Sequence, residues 1–130
     1  HAGYFVFFDW CWGDDRQWLY DTTDDLTMYS HDHGHFLPGA PNWTSESLLD
    51  NVEVAHSLDT SPDGIDYNEL ERLADALENV TREQLLAILC AIPANWPVQD
   101  SELETLGYFL DSRRLPVAAR IRQLAATLAG

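Results

Sequence analysis

Lysine is absent from the chain: all seven basic residues are arginine. Chemistry that needs a lysine amine is therefore excluded for these residues. That covers a Schiff base, a Walker loop and an ammonium that anchors nucleotide phosphates. Positive charge is scarce altogether, with 7 arginines against 22 acidic residues and a formal net charge of -15. Such a surface repels phosphate backbones, so neither nucleic acid nor an anionic membrane is an expected partner. Any phosphate ligand has to arrive with metal ions that mask the carboxylates. Cysteine occurs only twice, at Cys11 and Cys90, with no CxxC pair. The simplest reading is a reduced, cytoplasmic protein. No run of about 18 apolar residues is present, so no membrane-spanning helix is expected. The apolar stretch Tyr4–Trp12 lacks the basic flank and small-residue cleavage site of a signal peptide.

What the chain does have is apolar and aromatic content, 45% and 12% of 130 residues. That suffices for the core of one ordinary domain and does not fit a disordered chain. The character changes near residue 43. Residues 1–43 are rich in aromatics, Asp, His and Gly, whereas 44–130 read as helices joined by short polar links. The opening run Tyr4–Trp10 is readable as a buried strand or a helix end. It follows His1 with no initiator methionine, and the expectation is a fragment or a removed leading segment. Gln17–Tyr20 and Leu26–Ser30 are β-prone runs flanking the turn-rich Asp21–Asp25, which predicts a hairpin. Pro38, Gly39 and Pro41 mark a loop.

Helix signals fill the remainder. Thr44 or Ser45 is the expected cap of a short helix, and Asp66 with Glu69 opens a helix carrying Leu70, Leu73 and Leu77. Thr81 with Gln84 and Ser101 with Glu104 both have capping-box spacing. Pro116 is expected in the first turn of a last helix, and Arg113 and Arg114 near the end of the one before it. The predicted fold is α+β and mostly helical: a short hairpin covered by a helical bundle in a single domain.

Two clusters flank the hairpin: Trp12-Gly13-Asp14-Asp15-Arg16-Gln17-Trp18 and Ser30-His31-Asp32-His33-Gly34-His35-Phe36. A hairpin returns its ends to one place, so the clusters should meet. Carboxylates gathered this way repel unless a cation lies between them, with metal ions and Arg16 the candidates.

An Asp loop, a hairpin and then Asp-x-Gly, with Asp32 18 residues after Asp14, resembles the catalytic layout of kinases. The wording is most similar to the HipA-like kinases, in which an N-x-D-R-like loop precedes an I-D-H-G-like segment. Gln17-Trp18-Leu19-Tyr20, Phe36-Leu37-Pro38-Gly39 and Asn42-Trp43-Thr44 resemble an actinobacterial subgroup. The likeness is strongest over residues 9–44. It implies the C-terminal lobe of a kinase-like fold that transfers phosphoryl groups from ATP with magnesium or manganese. Asp14 is then the catalytic Asp, with Asp15, directly before Arg16, as the alternative. Asp32 is the metal-binding Asp, and His33 and Gly34 complete its turn. The family's metal-binding Asn falls where this chain has Leu19 and Tyr20, so the nearest amide, Gln17, takes its role. A glycine-rich loop and its lysine would lie before residue 1. The implied partners are a missing N-terminal lobe, an acceptor of unknown identity, and a second copy through the surface facing that lobe. The chain alone is expected to be inactive.

Other readings stand beside this one. The lobe's shape also suits a non-catalytic protein-interaction domain. His31, His33 and His35 alternate, so on a strand they would share one face and hold zinc, as in a metallo-hydrolase. Gly-Asp-Asp is also plain turn chemistry, and Asp32 suits a turn closed by an Asx hydrogen bond. Asp59–Gly64 is similar to the start of a calcium loop. Position 12 would be Leu70, so a turn leading into the Asp66 cap explains it better.

Overall fold

The run Tyr4–Trp10, ambiguous by composition, is helical: α1 spans Ala2–Cys11 in the computed structural model, which describes residues 1–25 and 27–130. Burial on more than one side explains its apolar character. Ala2, Phe5 and Val6 enter the main core, and Phe8 is buried against the loop that follows. The helix ends at Trp12 in the left-handed conformation, φ 58°. The amides of Trp12 and Gly13 both return to the Phe8 carbonyl, which satisfies an end that would otherwise expose its last acceptors.

The hairpin forms as expected. β1 (Trp18–Tyr20) pairs antiparallel with β2 (Met28–Ser30), with Trp18 opposite Ser30 and Tyr20 opposite Met28. Leu26 lies outside the described residues. Helix α2 (Ser45–Asn51) is capped by Thr44 through a capping box with Ser47. Helix α3 (Tyr67–Glu78) starts at Asp66, whose carboxylate accepts from the Asn68 amide at 2.9 Å. Helix α4 (Arg82–Cys90) has the Thr81/Gln84 capping box in both directions. The fold is thus α+β and mostly helical.

The C-terminal region differs from expectation. One 30-residue helix, α5 (Asp100–Ala129), replaces the two predicted. Its N-cap is Gln99, whose amide donates to the Glu102 carboxylate at 2.7 Å, so the Ser101/Glu104 box does not form. Pro116 lies inside the helix on its exposed face rather than in a first turn. The reason is tertiary. Leu106, Phe109, Arg113, Val117, Ile121 and Ala125 make one buried stripe at helical spacing. Burying it unbroken outweighs the single hydrogen bond that proline removes.

Along this stripe α5 carries two cores. Leu106 and Phe109 pack with Leu48 of α2, while Val117, Ala118, Ile121 and Ala125 pack with α1 and α3. Arg113 sits between the two, fully buried. Its fork donates to the carbonyls of Asp9 and Trp10 at the end of α1 and of Asn51 and Val54 around the end of α2, and pairs with the Asp9 carboxylate at 3.0 Å. Arg120 adds a second cation to Asp9 at 2.7 Å. Arg113 therefore does act on helix ends, though on those of α1 and α2 and not of its own helix. Arg114 does the same for α3, donating to the Glu78 carbonyl at 2.9 Å. A cation at a helix C-terminus meets the negative end of the dipole.

Candidate functional site

The two clusters predicted from sequence do meet. Three backbone hydrogen bonds staple residues 11–17 to residues 31–37: Asp14 N–H to the His35 carbonyl at 3.0 Å, His31 N–H to Gln17 at 3.1 Å, and Leu37 N–H to Cys11 at 3.0 Å. Phe36 wedges beneath them, its ring 5.1 Å from Phe7, Phe8 and His33. Gly13 is required by this wedge. A Cβ there would stand 2.6 Å from Phe8 and 2.8 Å from Phe36, closer than carbon atoms tolerate.

Each candidate carboxylate has a distinct environment. Asp14 is exposed, and its Oδ1 lies 3.0 Å from Nε2 of His56. The same nitrogen is 3.0 Å from the Gly13 carbonyl. Two acceptors around one ring nitrogen require that nitrogen to carry the proton. The ring is fixed on its face by Trp12, stacked at 4.2 Å and 14°, with the Arg113 guanidinium on Trp12 at 5.1 Å. The backbone of His56 is held in turn by the buried Asp9 carboxylate at 3.2 Å. Asp14 is thereby tied to the Asp9–Arg113–Arg120 hub. His56 lies 42 residues along the chain in a loop, and no local sequence pattern connects it with Asp14.

Asp15 is half-buried and accepts from the Gln17 amide nitrogen at 2.6 Å. The amide oxygen is the end of Gln17 left for another ligand. Arg16 turns away from the carboxylates and donates to the Asp59 carbonyl at 2.6 Å, which corrects its expected place between them. The side chain that meets Asp14 is His56 instead. Asp59–Gly64 forms the expected turn ahead of the Asp66 cap, closed by Ile65 N–H to the Pro62 carbonyl, with Gly64 at φ 79°.

Asp32 differs from both. Its backbone is left-handed at φ 52°, a conformation that costs a non-glycine residue about 1–3 kcal/mol. Its carboxylate is exposed and, among the described residues, has no hydrogen-bond or ion-pair partner, so no Asx bond accounts for the turn. The turn is instead closed by Phe36 N–H to the His33 carbonyl at 3.1 Å. Gly34 lies under the carboxylate, where an added Cβ would be 3.5 Å from Oδ1, an ordinary contact.

The histidines 31, 33 and 35 do not alternate along a strand, because β2 ends at Ser30. His33 Nε2 is 2.7 Å from the Ser30 hydroxyl, and its ring meets Phe7 edge-on. Among the described residues no group of three or more His, Cys, Asp or Glu is placed to share a metal ion. Burial pushes the Cys11 thiol up to about 12, against a smaller opposing pull from Arg113.

No helix of the described residues is long and apolar enough to cross a membrane. Compared with known proteins, the chain matches no family model, no curated protein and no solved structure.

Proposed function

We propose that these residues are the phosphotransferase C-lobe of a HipA-like kinase, dependent on a separate N-terminal lobe for nucleotide binding. One observation carries the reading: Asp32 is held in a strained backbone conformation with its carboxylate unpartnered, on a loop stapled to the loop of Asp14 and Asp15. Strain of this kind persists only where surrounding structure over-determines it, and it gathers at ligand sites. The remaining roles follow from chemistry. Asp14, exposed and steadied by the His56 N–H, is suited to orient an acceptor hydroxyl; Asp15, engaged by Gln17, is the alternative.

Asp32 and Gln17 carry the oxygen donors that would suit a hard cation. Asp32 offers a free carboxylate and Gln17 an amide oxygen, and magnesium or manganese binds through one or two carboxylates plus phosphate oxygens. The metal would neutralise charge on the transferring phosphoryl group. The acceptor is a hydroxyl compound or protein of unassigned identity, and the setting is cytoplasmic.

The test is calorimetric titration of manganese into the chain, with and without ATP, repeated with Asp32→Ala. Binding that is lost in the variant supports the reading. Absence of binding in both proteins overturns it and favours a non-catalytic interaction domain, for which the exposed apolar face of α4 also speaks.

A further inference from the structure

Helix α4 is a nine-residue helix with a single buried side chain, Leu85. Its other apolar residues lie outward or along the seam with α5. Leu86 is 60% exposed, as is 55% of Tyr108 across the seam. Two adjoining hollows of about 370 and 400 Å³ share Leu86, Leu89 and Glu104: the first lies between the two helices, and the second is closed on one side by Ile92, Pro93 and Val98 of the loop that joins them. Gly107 forms part of the floor. A Cβ there would stand 3.0 Å from a terminal methyl of Leu89, so the bare glycine leaves the seam deeper.

The unpaired charges on the rim have one sign. Among the described lining residues Arg82 is the cation, and it is spent on Asp111 at 2.8 Å. Asp111 also takes Arg114 at 2.6 Å. Glu104 and Asp100 line the hollows with no cationic partner among the described residues. A second copy seated here would set Glu104 and Asp100 against the same acidic rim, with no lysine and no unspent arginine in the groove to answer them.

We propose that the α4–α5 groove is a docking site for a basic amphipathic helix. Apolar residues at i, i+3 and i+4 would enter the two hollows, and Lys or Arg on its flanks would meet Glu104 and Asp100. The seam follows α5 from Asp100 to Asp111, about three turns and about 16 Å at 1.5 Å per residue, so a segment of about 11 residues fills it. This site is independent of the phosphotransferase reading.

The test uses a labelled Leu/Lys amphipathic peptide of that length, followed by fluorescence anisotropy at about 0.15 M salt, where long-range attraction to an acidic surface is largely screened. The expected result is saturable one-to-one binding, weakened at least tenfold by Leu86→Asp and separately by Glu104→Lys. The same peptide with Glu in place of each Lys should not bind. Leu86 and Glu104 are exposed, so both variants should keep the wild-type circular dichroism and melting curve, which are recorded alongside. Equal binding to wild type and Leu86→Asp would overturn the proposal, since it would mark general attraction to a chain of net charge -15. So would absence of binding, or a dimer in sedimentation that Leu86→Asp dissolves, which would make the occupant a second copy.

Discussion

Arg113 shows how one side chain can set the relation of several elements. It lies at a position where the α5 stripe calls for an apolar residue, and it is the largest of the fully buried side chains. A buried guanidinium is costly unless every donor is used and the charge is opposed. Here the donors are used on carbonyls at two helix ends and the charge is opposed by Asp9. Burial draws the Arg113 pKa down, and Asp9 resists that shift. Removing it leaves those carbonyls orphaned together. Arg113→Met should therefore cost about 3–5 kcal/mol in urea unfolding, a large part of the 5–15 kcal/mol a domain has. Arg113→Lys should restore only part, because an ammonium cannot span two helix ends as a planar fork does. A loss below about 1 kcal/mol for Arg113→Met would show that water replaces the fork, contrary to its burial.

At the scale of elements, α5 is continuous against its own local signals. Ser101 with Glu104 and Pro116 both mark helix starts, and neither marks one here. Pro116 points to solvent, so its ring contributes little packing in exchange for the hydrogen bond it removes. Pro116→Ala should raise stability by about 1–3 kcal/mol: helix propensity favours alanine by about 3 kcal/mol, less what proline saves by restricting the unfolded chain. Unchanged or lower stability would mean that a bend at residue 116 is needed to seat the stripe. The same competition settled α1. Its residues suit strand or helix alike, and only the requirement that Ala2, Phe5 and Val6 reach α3 and α5 while Phe8 reaches Phe36 selects the helix.

Across the whole molecule, the 22 acidic residues exceed the 7 arginines threefold. Among the described residues six arginines are paired with carboxylates; Arg122 by itself bonds to Asp75 and Glu78, with Glu71 at 3.7 Å. The Arg122 hydrogen bond holds the Glu78 carboxyl below its usual range. The other carboxylates repel one another through solvent, a cost that falls as ions screen it. Raising sodium chloride from low concentration to about 0.5 M should therefore raise the melting temperature at neutral pH. A steady fall would show that the exposed arginine pairs outweigh the net repulsion.

By itself the sequence determined whatever depends on neighbours in the chain. It set the hairpin between Trp18 and Ser30, the caps at Asp66 and Thr81, and the meeting of the loops around Asp14 and Asp32, because hydrogen bonds over two or three residues and the return of a hairpin are local matters. Tertiary structure alone decided the partner of Asp14, the place of Arg16, the unbroken course of α5 and the role of Arg113. Each of these rests on atoms brought together from far along the chain: His56 is 42 residues from Asp14, and Arg113 is 104 from Asp9. A charge or an aromatic ring has no preferred sequence distance to its partner. Only the packed core, by fixing which surfaces are withdrawn from water, selects the donor and the acceptor that must meet.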